Sequence, residues 1–157
     1  MIKLLGFEVR GDSRGSLISL EQNKNIPFDI KRVYYIFDTK DNVRREFHAY
    51  RGLEQVRICV SGSCKVLVYD GSLKENILLD SPNTGLLISG LVWREMFDFS
   101  DNCVLIVLAS KLCDESDYIR DYDEFVEAVK KWIMSLYTNY QMCSLAILVQ
   151  ILRSGNL

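Results

Sequence analysis

The chain has 157 residues, of which 48% are apolar and 25% charged, a balance typical of one soluble domain with one hydrophobic core. A net charge of −2 argues against nucleic-acid binding, which requires a clustered basic face. The N-terminus lacks the apolar stretch of a signal peptide, and the apolar segment 142–152 is too short to cross a membrane. The five cysteines include no CxxC pair, so we expect reduced thiols in a cytoplasmic protein that does not bind membranes.

Short strands separated by turns are predicted from the N-terminus to about Ser110. The turn signals include Asp70-Gly71, which favours a hairpin. Such strands, at intervals of about 8–12 residues, predict an antiparallel jelly-roll sandwich or barrel that holds a ligand in its mouth. The predicted strands cover residues 17–20, 32–37, 53–60, 64–69, 75–79, 86–88, 92–97 and 103–109.

The pattern changes after Ser110. Segment 114–119 reads as a helix entry with early acidic residues, and segment 122–134 as an amphipathic helix. The segment from Ser135 onward is compatible with a second helix. We therefore predict an all-β barrel over residues 1–112 and a helical extension of the same domain over 113–157. The apolar residues at helical spacing are Phe125, Val126, Val129, Trp132 and Ile133.

His48 is the only histidine in the chain. In an extended strand, Glu46, His48 and Tyr50 share one face, while Phe47 and Ala49 take the other. If the first face lines the barrel, His48 and Tyr50 converge on one ligand. The alternatives are that His48 is a structural or surface histidine and that Tyr50 packs in the core or at the rim.

A single histidine cannot form a histidine-rich metal site, and the cysteine spacing suggests no thiol cluster in its place. Any enzymatic activity of this barrel is therefore predicted to proceed by proton transfer, with no metal and no cofactor.

Several collinear blocks, between about Asp12 and about Phe125, resemble one family. They are similar to the metal-free cupins that isomerise dTDP-4-oxo-6-deoxyglucose to a 3-oxo sugar. The blocks are DSRGSL (12–17), NKNIPF (23–28), IKRVYYIFD (30–38), FHA (47–49), LEQV (53–56), GSC (62–64), VWREM (92–96) and DYIR (117–120).

The resemblance implies a jelly-roll cupin, usually a homodimer, that acts as a sugar-nucleotide 3,4-ketoisomerase in deoxyamino-sugar synthesis for surface glycans such as O-antigen. A base removes the proton at C3, an enediol forms, and a proton is delivered to C4. His48 is then the acid/base group and Tyr50 a hydrogen-bond donor. The substrate-binding residues implied are Arg14, Arg32, Tyr35, Arg45, Gln55 and Arg94.

The sequence departs from the family pattern at three positions. A second histidine is usual where Tyr50 stands, a glycine where Glu46 stands and a lysine where Gly52 stands. Because the ordinary pKa of tyrosine is about 10, against about 6.5 for histidine, Tyr50 is a poor base at neutral pH. Two alternatives therefore stay open: a catalytically weakened barrel that binds the dTDP-sugar, and a 3,5-epimerase-like enzyme on the same scaffold.

Overall fold

The computed structural model describes residues 1–40, 43–135 and 138. A 3₁₀ turn covers Glu115–Asp117, and helix α1 covers residues 122–135. No helix in the described part of the chain is long and apolar enough to cross a membrane. The strands are β1 (Ile2–Gly6), β2 (Arg10–Asp12), β3 (Gly15–Leu17), β4 (Arg32–Ile36), β5 (Arg45–Tyr50), β6 (Gln55–Ser61), β7 (Cys64–Tyr69), β8 (Lys74–Leu79), β9 (Thr84–Ile88), β10 (Trp93–Phe97), β11 (Val104–Ala109) and β12 (Tyr118–Ile119).

Two five-stranded antiparallel sheets form the body of the fold, with strand orders β1-β9-β6-β11-β4 and β12-β5-β10-β7-β8. Strands β2 and β3 form a separate hairpin. One apolar cluster, which includes Cys59, Val66, Leu86, Met96 and Val107, joins the inner faces of both sheets. Alternate residues of both sheets thus point into one shared core, as in two sheets stacked face to face. The predicted jelly-roll architecture is therefore confirmed.

The hairpin predicted at Asp70-Gly71 is confirmed, since β7 and β8 pair in register on either side of it. The Asp70 carboxylate accepts the backbone N–H groups of Ser72 and Leu73 at 2.9 and 2.8 Å. Gly71 has a φ of 96°, a conformation that favours glycine. Local turn chemistry thus determines this connection.

The helix entry predicted for residues 114–119 is wrong. Asp114 caps only the single 3₁₀ turn, and the chain then extends as β12, where Tyr118 pairs with Tyr50 and Ile119 with Ala49. The extended form buries Ile119 completely, which a surface helix turn would not achieve.

Helix α1 agrees with the predicted amphipathic helix. The Asp121 carboxylate caps its first turn by accepting the Glu124 N–H. Phe125 and Val129 pack in one cluster with Trp93 and Ala49, on the outer face of the β5-containing sheet. The second helix considered for the C-terminal tail lies outside the described residues.

Candidate active site

Strand β5 carries the histidine and contains a β-bulge. Arg94 of β10 pairs with His48, but Met96 pairs with Arg45, so β5 uses one residue more than its partner. Within the bulge Glu46 and Phe47 have φ values of 83° and 40°, which costs about 1–3 kcal/mol for each non-glycine residue. Phe47 is turned outwards, whereas the His48 and Tyr50 rings lie in contact, with centroids 4.8 Å apart. The bulge thus aims an imidazole and a phenol at the same space.

His48 is held in one tautomer. Its Nδ1 lies 2.7 Å from the backbone carbonyl oxygen of Glu46, and because a carbonyl can only accept, Nδ1 carries the proton. Its Nε2 is buried and has no hydrogen-bond partner among the described residues. Burial lowers the pKa of His48 below its usual value, and the charge of Glu46 opposes that shift. The imidazole is therefore neutral at pH 7, with the Nε2 lone pair available to accept a proton.

Two fully buried arginines lie beside the histidine, Arg57 on β6 and Arg94 on β10. The side-chain oxygen of Gln55 accepts from both, at 2.9 Å from Arg57 and 2.7 Å from Arg94. Arg57 also donates to the carboxylate of Glu46, and the Gln55 amide donates to the Tyr34 hydroxyl at 2.9 Å. These hydrogen bonds hold both guanidinium groups in place inside the barrel, near the imidazole.

The network carries a net positive charge. Burial and repulsion by Arg57 lower the pKa of Arg94 to about 10, so both guanidinium groups are charged at pH 7. Burial acts to raise the pKa of Glu46, but the charge and hydrogen bond of Arg57, together with His48 and Arg94, outweigh it and the net shift is downward. Two cations and one carboxylate leave one positive charge in a buried site, where it stabilises an anionic intermediate strongly.

Tyr50 belongs to an aromatic cluster with Tyr118. Their ring centroids are 4.5 Å apart, and the Tyr118 ring lies 5.0 Å from that of His48. The guanidinium of Arg94 lies 4.9 Å from the centre of the Tyr50 ring, a cation–π contact. Burial, and to a lesser extent the neighbouring Tyr118 phenol, raises the pKa of Tyr50 far above its usual value. Tyr50 therefore remains a neutral phenol that can donate a proton or a hydrogen bond.

The predicted substrate-binding residues divide into two groups. Gln55 and Arg94 lie in the buried network, and the half-buried Arg32 lies beside it, 5.1 Å from the centre of the Tyr34 ring. The Nε of Arg32 is buried with no partner among the described residues.

The other three predicted residues lie away from the buried network. Arg14 is on the β2–β3 hairpin, with its side chain 87% exposed and paired to Asp12. Arg45 is exposed at the start of β5, and Tyr35 is 63% exposed on the outer side of β4. The site built by the fold thus contains His48, Tyr50, Gln55 and Arg94, with Arg32 at its edge.

Four residues of this cluster were not predicted as site residues: Tyr34, Glu46, Arg57 and Tyr118. Arg57 stands two positions from Gln55 on one strand, so the two share a face, and a charged residue within an apolar strand was a usable signal. Tyr34 takes the inward position next to the outward Tyr35. Glu46 already shared the predicted face of His48, whereas Tyr118 arrives through β12, which the sequence pattern did not reveal.

The structure also contains a cysteine cluster, contrary to the sequence-based expectation. The sulfur atoms of Cys59, Cys64 and Cys103 all lie within 4.8 Å of one another, and all three residues are buried in the core. Burial raises the pKa of the Cys59 thiol to about 12. Burial also raises the pKa of Cys64. The Cys59 and Cys64 thiols are therefore protonated, and all three cysteines pack as small apolar groups. Cys103 directly precedes β11 and joins Cys59 and Cys64 only through the pairing of β11 with β6, which is why the spacing in sequence did not reveal the cluster.

A jelly-roll barrel that directs a neutral imidazole and buried cations into its interior is the arrangement of a proton-transfer isomerase for an anionic substrate. The family model described as "FdtA: WxcM-like, C-terminal" matches residues 1–130, and the chain belongs to this family.

Its relatives are sugar-nucleotide isomerases. The chain is 55% identical over 129 residues to a TDP-4-oxo-6-deoxy-alpha-D-glucose-3,4-oxoisomerase of Aneurinibacillus thermoaerophilus, with 82% of this chain and 93% of the relative covered. A 3,4-ketoisomerase of Helicobacter canadensis has a similar structure, with a TM-score of 0.80 and 50% identity over 82% of this chain and 97% of that one. QdtA, a sugar 3,4-ketoisomerase from Thermoanaerobacterium thermosaccharolyticum solved with TDP, has a TM-score of 0.81 and 45% identity over 83% and 95%.

Proposed function

We propose that the protein converts dTDP-4-oxo-6-deoxyglucose to a dTDP-3-oxo-6-deoxyhexose. The observation that carries this proposal is the buried neutral His48, whose Nε2 has no partner among the described residues and lies in a net positive site. Relatives that are 45–55% identical are named 3,4-oxoisomerase or 3,4-ketoisomerase, and the name of the 55% identical relative includes TDP-4-oxo-6-deoxy-alpha-D-glucose. These matches favour ketoisomerisation over the epimerase alternative.

The chemistry follows from the charges of the site. Nε2 of His48 takes the proton from C3 of the sugar, and the electron pair of that bond moves towards the C4 carbonyl, whose oxygen becomes an enediolate. The buried guanidinium groups stabilise this negative charge as it develops. The C4 carbon and the C4 oxygen then each gain a proton and the C3 hydroxyl loses one, which leaves a ketone at C3 and a hydroxyl at C4. Two protons are lost and two gained, so no net proton is consumed.

The configuration at C4 reports which group delivers the proton. In a glucopyranose ring the hydrogens at C3 and C4 lie on opposite faces. If His48 removes one proton and returns it from the same face, the product has the galacto configuration. Delivery from the opposite face, for which the neutral Tyr50 phenol is the candidate donor, gives the gluco configuration.

The proposal is tested by incubating the purified protein with dTDP-4-oxo-6-deoxyglucose in D2O and following the sugar signals by NMR. We expect deuterium at C3 of the recovered substrate and at C4 of a 3-oxo product, because the imidazole exchanges its proton with solvent. The absence of both isomer and exchange at high protein concentration would contradict the proposed reaction.

The replacement of a second histidine by Tyr50 favours one further candidate, a barrel that binds the nucleotide sugar with little turnover. Calorimetry with dTDP measures binding independently of catalysis. If the wild type binds dTDP but does not exchange, Tyr50→His is the diagnostic variant, since an imidazole restores a group that titrates near neutral pH. Recovery of exchange in that variant identifies the weakened binder.

We also propose that the protein is a homodimer. The edge strand β4 presents an apolar stripe to solvent, with Val33, Tyr35 and Phe37 each more than half exposed. The rings of Tyr35 and Phe37 lie 5.6 Å apart and form one patch. Open sheet edges with apolar side chains are sites of association, and a second copy covers them symmetrically.

Light scattering after size exclusion measures this association. We expect Tyr35→Glu combined with Phe37→Glu to give a monomer, because charges on the stripe cannot be desolvated in an interface. Leu78→Glu, at a similarly exposed position of the edge strand β8, is the matched control and should leave the dimer intact. A wild-type monomer, or a double variant that remains a dimer, would contradict the proposal.

Two wider proposals concern cellular context. The Cys59 and Cys103 sulfurs are 3.7 Å apart and form no disulfide, which suits a reducing cytoplasm. A C3 ketone is the group that an aminotransferase converts to an amine, so the product would supply deoxyamino sugars for surface glycans such as lipopolysaccharide.

A further inference from the structure

Glu46 combines three unfavourable properties. It has a φ of 83°, a backbone conformation that favours glycine. Its side chain is only 11% exposed, and it bears a charge in the barrel interior. A strained backbone and a buried carboxylate at one position point to a use for this side chain.

Glu46 contacts the site through two groups. Its backbone carbonyl accepts the Nδ1 proton of His48 at 2.7 Å, and its carboxylate accepts from the fully buried Arg57. We propose that Glu46 is a positioning residue for His48: its carbonyl fixes the imidazole tautomer, and its carboxylate balances the buried guanidinium groups so that the imidazole can take up a proton. The inference deepens the proposed function, on which it rests for the role of His48 as the base.

Charged and titratable groups face the imidazole from four strands. Glu46 and Tyr50 lie on its own strand, Arg57 on β6, Arg94 on β10 and Tyr118 on β12. The tyrosines are neutral at pH 7, and both arginines disfavour a protonated imidazole. Glu46 is the anion of this set. Its neutralisation leaves two cations beside the ring, which must make protonation of His48 harder.

The test is an NMR titration of the imidazole, which needs no substrate. His48 is the only histidine, so its ring C–H signal is unambiguous. We expect the titration midpoint of Glu46→Gln to move to lower pH than that of the wild type. Glu46→Gly keeps the carbonyl and relieves the backbone strain, and its midpoint should move in the same direction. Glu75→Gln removes the same charge from an exposed position on β8 and should leave the midpoint unchanged.

The two variants separate charge from structure. If the Glu46 side chain only filled space, glutamine would replace it without changing the titration of His48. A titration midpoint in Glu46→Gln equal to that of the wild type would therefore overturn the proposal. The acidic limb of the kcat/KM profile should follow the NMR midpoint. If the wild type shows no isomerisation but Glu46→Gln shifts the midpoint, the proposed function fails and the positioning role stands. If isomerisation occurs but the midpoint of Glu46→Gln equals that of the wild type, the proposed function stands and the positioning role of Glu46 fails.

Discussion

The variant His48→Asn is expected to lower kcat for the isomerisation by about 10²–10⁴-fold, the usual contribution of a positioned acid/base group. Nε2 of His48 is buried, has no hydrogen-bond partner among the described residues and carries the lone pair that can accept a proton. The amide of asparagine cannot accept a proton at neutral pH. The neighbouring phenol cannot compensate as a base, because burial raises the pKa of Tyr50 far above neutral pH. Steady-state rates with dTDP-4-oxo-6-deoxyglucose give the measurement.

Asparagine is chosen because its amide nitrogen can occupy the place of Nδ1 and still donate to the Glu46 carbonyl. The variant should therefore fold like the wild type and bind dTDP with similar affinity by calorimetry. Activity within about tenfold of the wild type would show that another group is the principal base, because losing that base removes at least two orders of magnitude.

The parts of the fold that depend on local chemistry were predictable. Strand β7 has the predicted bounds, Cys64–Tyr69, because an apolar alternating run ends at the Asp70-Gly71 turn signal. His48 and Tyr50 share a face, as predicted, because side chains alternate regularly along the strand between these two residues. The bulge at Glu46 could not be predicted, since it is defined by the register of β5 against β10, a strand far away in sequence.

The candidate site shows the same division. Because side chains alternate along a strand, Tyr34 and Tyr35 must point to opposite faces of the sheet. Which of them faces inward depends on the pairing of β4 with β11. The family blocks contained both residues and did not distinguish them. The inward position of Arg57 could be predicted from the sequence, because Arg57 stands two residues after Gln55 on one strand and so shares its face. A buried arginine becomes plausible only when a partner is known, and that partner, Glu46, reaches it through the bulge.

The ion pair of Arg57 and Glu46 leads to the prediction with the largest effect on stability. Arg57→Met removes the cation and leaves the Glu46 carboxylate buried without its direct partner. Breaking a buried pair from one side typically costs about 3–5 kcal/mol, so the free energy of unfolding at pH 7 should fall by about that amount. Urea denaturation of the wild type and the variant measures the difference.

The double variant Glu46→Gln/Arg57→Met is the matched control, since it removes both charges and keeps most of the volume. It should be more stable than Arg57→Met alone, because no unpaired charge stays buried. A double variant no more stable than the single one would show that the loss in Arg57→Met does not come from an unpaired Glu46 carboxylate.

The loss in Arg57→Met must also depend on pH. In the wild type, Arg57 holds the folded-state pKa of Glu46 below its usual value. The pair therefore stabilises the fold above the unfolded-state pKa, and this contribution disappears as the pH falls through the folded-state pKa. Without Arg57, burial raises the pKa of Glu46, so the carboxyl group takes up a proton on mild acidification and no longer carries an unpaired charge. The stability difference between wild type and variant should thus shrink from pH 7 to pH 5, and a constant difference would locate the effect in packing.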